Sequence, residues 1–269
     1  MNDDVQKYEK MWEECCREES LRCSTEYWNS RAEDYTDFIT HSDFDHGRKI
    51  LALFQHEELI SPESQVLDIG SGPGAITIPF AEKVQSVTSV EPAGEMINNL
   101  LKNARDKNLS NISTIPQIWQ DVSTDDLKKQ FDLTICCHSI WHFPDIFTQI
   151  SRMEQVSRGW CALAHGISPG KSDNDISQKL GIPFDETDRF ILVKQILENR
   201  GIFPNVSILP ITMRRTVESG RSMLTLGLKK YREPQPADIA LIDEHLAANS
   251  RDGMYEKTGT MGVLWWRVA

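Results

Sequence analysis

The chain has 269 residues, enough for one large domain with a substantial buried core. Its 29 basic and 40 acidic side chains give a formal charge of −11, which makes nucleic acids and anionic membranes poor partners, because both attract clustered positive charge. No run approaches the roughly 20 apolar residues of a membrane span, and the N-terminus lacks a signal-peptide pattern, so we expect a cytoplasmic protein without a membrane segment.

The first sixty residues are predicted to be helical and to form a cap, residues 1–60, packed on a domain spanning 61–269. Apolar side chains at three- and four-residue spacing predict two helices on either side of a break near residues 21–24. These side chains are Val5, Tyr8 and Trp12, followed by Trp28, Ala32, Tyr35 and Ile39. Ser42 or Asp43 is the expected cap of a third helix. Because it is aromatic, the first helix is a candidate surface for a homodimer.

Free thiols are expected at all six cysteines, because four of them form adjacent pairs that rarely bridge each other and no export signal precedes them. No C-x-x-C spacing occurs, so the sequence predicts no metal site. Cys15, Cys16 and Cys23 allow metalloid chemistry as an alternative. Neighbours on a helix point about 100° apart, however, and this favours a packing role for these thiols.

From residue 65 onward, short apolar runs alternate with helical patterns. Strands are predicted at 65–69, 86–90, 111–115, 131–136, 160–164, 206–213 and 259–268. Helices are predicted at 73–83, 94–107, 188–199, 218–230 and 237–248, with a further helix after Asp145. This alternation is typical of an α/β fold whose parallel sheet is covered by helices on both faces.

A glycine-rich turn, Val66-Leu67-Asp68-Ile69-Gly70-Ser71-Gly72-Pro73-Gly74, follows the first predicted strand. Glycine permits a tight turn there and lets the backbone approach a ligand closely. Glu91 ends the next strand roughly 20 residues later, where a carboxylate accepts hydrogen bonds from ribose hydroxyls. The G-x-G-x-x-G pattern of dinucleotide sites is absent and Pro73 follows the second glycine. A nicotinamide-dependent oxidoreductase is therefore disfavoured.

Over residues 26–165 the sequence resembles the class I S-adenosylmethionine-dependent methyltransferases of the small-molecule type. Beside the glycine-rich turn, the resemblance lies in Ser89–Met96, Phe131–His138 and Trp141–Asp145. It implies a Rossmann-like, doubly wound, mostly parallel sheet of seven strands with the last strand antiparallel. It also implies S-adenosylmethionine as the cofactor and direct in-line transfer of its methyl group to an acceptor.

The resemblance implies cofactor contacts at the strand ends. Asp68, Gly70, Ser71 and Gly72 would line the methionine end, and Glu91 would hold the ribose. Pro92 and Met96 would flank the adenine. Cys137 and His138 would lie beside the amino acid group, and Tyr35 would close over the cofactor. The alternatives without cofactor binding are that Asp68 caps the loop after its strand and that Glu91 is a solvated turn residue.

One position departs from the family. Ile118 stands where relatives carry an acidic residue that reads the adenine amino group. Three alternatives remain open at this point: Asp121 substitutes, Gln117 substitutes, or backbone amides hold the base together with Trp119.

No catalytic residue is assigned from the sequence. His138 and His142 are weak candidates for a general base, since each could equally pack or cap a helix, and His165 is weaker still. The acceptor is expected to be a small molecule, because the charge is −11 and the N-x-P-P-[YF] strand end of amino-methylating nucleic-acid enzymes is absent. A protein acceptor and a non-catalytic cofactor-binding module or partner subunit remain as alternatives.

Two segments are predicted to be excursions that cover the substrate, at 166–187 and 214–250. The second contains a basic run that stands out in an acidic chain: Arg214, Arg215, Arg221, Lys229, Lys230 and Arg232. Solvated helix faces are one interpretation of this run, and neutralisation of an acidic substrate by one arginine is the other.

Overall fold

The computed structural model describes residues 3–167, 176–183 and 187–269, without the side chains of residues 3–5 and 18. Its strands are β1 (Gln65–Ile69), β2 (Ser86–Val90), β3 (Ile112–Ile115), β4 (Phe131–Cys137), β5 (Ser157–Gly166), β6 (Asn205–Thr216), β7 (Ser250–Arg251) and β8 (Met254–Arg267). They form one sheet in the order β3-β2-β1-β4-β5-β8-β6, with β7 beside β8. Strands β1 to β5 pair in parallel, and β8 is antiparallel to β5 and β6. The predicted mostly parallel sheet with an antiparallel last strand is confirmed.

Two apolar layers cover the sheet, because successive side chains of a strand point to opposite faces. Leu67 and Ile69 belong to one buried cluster, whereas Val66 belongs to the other. The helices after β1 are α4 (Thr77–Ala81), α5 (Gly94–Asp106), α6 (Ile146–Val156), α7 (Ile176–Lys179), α8 (Arg189–Asn199), α9 (Val217–Lys229) and α10 (Pro236–Asn249). Two 3-10 turns lie at Trp119–Asp121 and Ile140–His142.

Three N-terminal helices precede the sheet and all pack against it or its helices: α1 (Asp3–Arg22), α2 (Thr25–His41) and α3 (Asp45–His56). The expectation that α1 offers aromatic side chains as a dimer surface is wrong for Trp12. That side chain is 0 % exposed, and its indole Nε1 donates to the carbonyl oxygen of Phe143 at 2.8 Å. Tyr8 packs on the same apolar cluster. The aromatic face of α1 therefore fastens this helix to the domain.

Two predicted helix starts are wrong. The helix expected from Pro73 begins only at Thr77, because Gly72 and Gly74 have φ angles of +52° and +97°, which a right-handed helix does not accommodate. The cap of α3 is Phe44 in the left-handed region, without a side-chain hydrogen bond. The Ser42 hydroxyl instead bonds the backbone of Arg214, on β6.

The C-terminal part follows the prediction closely. Asp188 caps α8 by accepting from the amide of Ile191, and Gly201 follows the helix with a φ of +81°. Residues 168–175 and 184–186 of the excursion predicted at 166–187 lie outside the described residues. Within the part of the chain that is described, no helix combines the length and apolar character of a membrane span. Among the described residues, no two cysteines are joined by a disulfide.

Candidate functional site

A cavity of about 400 Å³ lies at the carboxyl ends of β1, β2 and β4, where the N-terminal helices meet the sheet. Crevices at this edge of an open α/β sheet are the usual ligand sites of such folds. The cavity brings together ten of the residues named from the sequence: Tyr35, Gly70, Gly72, Glu91, Pro92, Met96, Trp119, Cys137, His138 and His142. It does not include Asp68, Ser71 or Asp121 among its described lining residues.

The glycine-rich turn is built so that its backbone borders the cavity. Gly70 has a φ of +71°, and any Cβ at this position would overlap the hydroxyl of Ser139. That hydroxyl donates to the carbonyl oxygen of Ile69 at 2.7 Å, so the turn and the end of β4 are held together. The Gly70 amide donates to the carbonyl oxygen of Val90 at 2.8 Å, which ties the same turn to the end of β2.

Glu91 holds the opposite side of the turn. Its Oε2 accepts from the Gly72 amide at 3.0 Å and its Oε1 accepts from the Ala93 amide at 2.9 Å. Burial raises the pKa of this carboxyl, and the two amide bonds partly offset that effect. Each carboxylate oxygen still has a lone pair to offer a ligand hydroxyl. The geometry thus agrees with a carboxylate positioned for ribose rather than with a solvated turn residue.

Asp68 differs from the prediction, because its carboxyl does not border the cavity. It is 1 % exposed, and its Oδ2 accepts from the Thr77 hydroxyl at 2.6 Å, at the start of α4. This is the loop-capping alternative. Burial raises its pKa from 3.8 to about 7, against the effect of the Thr77 bonds.

The raised pKa predicts a pH-dependent stability. Between about pH 4 and pH 7 the folded protein binds more protons at Asp68 than the unfolded chain does, so Asp68 makes stability fall as pH rises through this window. Asp68→Asn keeps the side-chain shape without the ionisation. We expect the difference in melting temperature, variant minus natural protein, to become more positive as the pH is raised from about 5 to about 8. Calorimetry at several pH values measures it, and a constant difference would contradict the assignment.

Part of the cavity lining is apolar and includes Pro92, Met96 and Ile118. Asp121 is exposed and is not among the described residues that line the cavity. Gln120 lies there instead, and the sequence interpretation missed it. Its Nε2 donates to the carbonyl oxygen of His142 at 3.2 Å, which leaves Oε1 buried without a partner in the described structure. Gln117, the other alternative, is also exposed.

Helix α2 and the end of α1 form a wall of the cavity. From this wall, the sequence predicted Tyr35 alone as a cofactor contact. Ser20, Cys23 and Trp28 line it as well. The Trp28 indole packs edge-on against the Tyr35 ring, with centroids 5.9 Å apart. Burial raises the pKa of the Cys23 thiol to about 11. This thiol is therefore a neutral wall group, and Cys15, Cys16 and Cys23 do not gather into a three-ligand group in the described part of the chain.

His142 is poorly placed to act as a general base. Its Nε2 accepts from the Trp28 indole at 3.1 Å, and burial lowers its pKa to about 4. In the neutral ring the remaining nitrogen, Nδ1, must then carry the proton and can only donate. Stacking on Trp141, with ring centroids 3.8 Å apart, holds the ring in place.

His138 also lines the cavity, directly after β4, and has a φ of +58°. Its ring packs against those of His46 and His165, with centroids 5.6 Å and 5.5 Å away. Burial lowers the pKa of His138 to about 4, so the ring is neutral near neutral pH. No sequence pattern indicated that His46, on α3, joins this group.

Residues 66–158 match the family described as a methyltransferase domain. The fold is similar to that of a methyltransferase dependent on S-adenosylmethionine from Aquifex aeolicus (14 % identity, TM-score 0.54), over 90 % of this chain and 98 % of that one. It is also similar to the YcgJ protein of Bacillus subtilis (16 % identity, TM-score 0.52), over 82 % of this chain and 97 % of that one. No curated protein sequence matches the chain.

These likenesses agree with the site. The matched family segment contains the glycine-rich turn, Glu91 and the end of β4, which together border the cavity. The structural likeness extends the same fold over most of the chain. With its glycine-rich turn, its buried carboxylate and its sheet order in place, the chain contains a segment that matches a methyltransferase domain, and it has a fold similar to that of S-adenosylmethionine-dependent methyltransferases.

Proposed function

We propose that the methyl acceptor is a small molecule bound in the same cavity as the cofactor, beside the end of β4. The observation that carries this proposal is the cavity itself. One space of about 400 Å³ is lined both by the glycine-rich turn and by Trp28, His138 and Phe143. Volumes of this order are typical of small-molecule sites. The acceptor thus shares a limited space with the cofactor.

The residues present fit S-adenosylmethionine. Gly70 and Gly72 line the cavity with backbone in left-handed conformations that favour glycine, so the backbone itself borders the ligand space. Glu91 offers carboxylate oxygens for the ribose hydroxyls, and Pro92 with Met96 offers an apolar wall for adenine. The buried, unpartnered Oε1 of Gln120 is an acceptor of the kind that the adenine amino group requires.

Bound S-adenosylmethionine supplies a methyl group that its sulfonium has already activated. The protein residues therefore align the acceptor with that methyl group and exclude water. Trp28 and Phe143 form apolar walls on the acceptor side. His142 contributes by position, since its hydrogen bond to Trp28 joins the N-terminal helices to the loop after β4. Direct in-line displacement needs no covalent intermediate on the protein.

The surface charges support a small acceptor over nucleic acid. The basic run at 214–232 is largely neutralised within the chain: Arg221 pairs with Asp243, Lys230 with Glu19 and Arg232 with Asp238. Arg215 is buried, with its guanidinium 3.8 Å from Asp34. A phosphate backbone would need unpaired basic side chains on one face. The remaining negative charge of the chain would repel it.

The N-terminal helices act as a cap in this proposal. Ser20 and Trp28 line the cavity, and the ion pair of Lys230 with Glu19 at 2.8 Å fastens α1 to the end of α9. Residues 1–60 would thereby determine which acceptors enter. Within 214–250, helix α9 packs against α2 and so supports the cap indirectly.

Calorimetric titration with S-adenosylmethionine and its demethylated product tests the cofactor part. Methyl transfer to a panel of small thiols, amines, phenols and carboxylates, followed by release of the demethylated product, tests the acceptor part. Cofactor binding without turnover on any small acceptor, but with turnover on a protein extract, would replace this proposal by a protein methyltransferase. Binding with no turnover in either case would favour the non-catalytic module.

The assignment of Gln120 gives a separate prediction. Gln120→Leu removes the acceptor for the adenine amino group, and we expect binding of the demethylated product to weaken about tenfold, the value of one buried hydrogen bond. Gln117→Leu is the matched control at an exposed glutamine and should bind as before. S-inosylhomocysteine lacks the amino group and should bind the natural protein weakly. Its affinity for Gln120→Leu should equal its affinity for the natural protein. Unchanged binding by Gln120→Leu would exclude this role.

A further inference from the structure

Three potential metal ligands from two distant segments converge beside the cavity. They are His46 on α3, Cys137 at the end of β4 and His138 directly after it, and their ligand atoms all lie within 4.8 Å of one another. Among the described residues, it is the one group of three or more histidine, cysteine or carboxylate side chains whose ligand atoms lie close enough together to hold a metal ion.

The backbone is bent so that this convergence can occur. Neighbouring residues of a strand point to opposite faces, and Cys136 and Cys137 do so, since they belong to different apolar clusters. His138 leaves the strand with a φ of +58°, a conformation uncommon outside glycine. The bend breaks the alternation, and the imidazole of His138 comes to the same point as the thiol of Cys137.

Packing alone leaves this cluster unexplained. His46 is 3 % exposed and its ring stacks on Phe38, yet its Nε2 is buried without a hydrogen-bond partner in the described structure. The Nδ1 of His165, next to His138, is unpartnered as well. Buried polar atoms without partners are uncommon, because desolvation is then not compensated. An apolar side chain would fill these positions without this desolvation penalty.

We propose that His46, Cys137 and His138 bind a zinc-like divalent transition metal ion. Imidazole nitrogen and thiolate sulfur are the donors that Zn²⁺ prefers, and three protein ligands leave a fourth position for water or substrate. Cys137 and His138 both line the cavity, so a molecule bound in the cavity would be next to the ion. Binding would release the thiol proton of Cys137 to solvent. The proposal departs from the sequence expectation of no metal, which rested on the absence of local ligand spacing.

Cobalt(II) is the probe, because its absorption reports both geometry and ligand type. Titrating the full, metal-free chain with Co²⁺ should give saturation at one ion per chain, the visible bands of a tetrahedral site and a thiolate-to-cobalt band in the near ultraviolet. Zn²⁺ should displace the ion and remove these bands. Cys137→Ser should abolish the thiolate band, and His46→Gln should weaken Co²⁺ binding at least about tenfold.

Cys136→Ser is the matched control, because Cys136 is the adjacent buried thiol on the other face of β4 and should leave the spectrum unchanged. Circular dichroism and cofactor binding verify that each variant is folded. No cobalt spectrum in the natural protein, or a thiolate band that survives in Cys137→Ser, would overturn the proposal. The site goes beyond the methyl-transfer proposal, since its test is metal binding, and cofactor titration of the metal-free protein reports separately on that activity.

Discussion

Replacing Glu91 with glutamine is expected to weaken S-adenosylmethionine binding by about ten- to a hundredfold, as measured by calorimetric titration. Hydrogen bonds to a charged group contribute about 1.5–3 kcal/mol each, and the glutamine loses the charge and one acceptor oxygen. In the folded protein the two oxygens of Glu91 already accept from the amides of Gly72 and Ala93. The substitution would therefore remove the proposed ribose acceptor and also loosen the glycine-rich turn.

Glu95→Gln is the matched control for this experiment. Glu95 lies four residues further on, in the first turn of α5, and is exposed. It carries the same charge, so any general electrostatic effect on a cationic cofactor would appear in both variants. Equal binding by Glu91→Gln and the natural protein, or equal losses in both variants, would refute a ribose contact. A fall in melting temperature without a fall in affinity would assign Glu91 to the turn alone.

The fold was largely predictable because its strands have a strong local signal. Apolar runs of about five residues ending at glycine or an acidic residue placed β1 and β2 within one residue of their bounds. The failure at Pro73 has a local cause too. The pattern of apolar residues after Gly72 fits a helix, but the backbone at Gly74 takes a φ of +97° and delays α4 until Thr77. The spacing of apolar residues carries no information about the backbone angles of a glycine.

The site was only partly predictable, because its parts come from distant segments. The turn and Glu91 belong to one local motif, and the structure brings them together as expected. Gln120 could not be singled out, since only its burial against the loop after β4 distinguishes it from Gln117. His46 lies far from Cys137 in the chain and has no motif around it, so that contact follows from the packing of α3 on the sheet.

Replacing Gly70 with alanine is expected to lower the free energy of unfolding by about 2–4 kcal/mol and to reduce cofactor binding at least about a hundredfold. Two causes act together. The φ of +71° is unfavourable for a residue with a Cβ, and that Cβ would overlap the Ser139 hydroxyl. Moving Ser139 would break its 2.7 Å hydrogen bond to Ile69 and displace the end of β4 from the turn. Denaturant unfolding and calorimetric titration measure the two effects.

Two further variants separate these causes. Gly94→Ala adds a methyl group at the start of α5, where nothing lies within 4 Å of it, so it should leave cofactor binding unchanged. Adding Ser139→Gly to Gly70→Ala restores the space but not the backbone preference. If the overlap dominates, the double variant regains part of the cofactor affinity, and the two substitutions are non-additive because their side chains share one space. If the left-handed backbone dominates, the losses add, and the turn must be described by its backbone conformation rather than by the room it leaves.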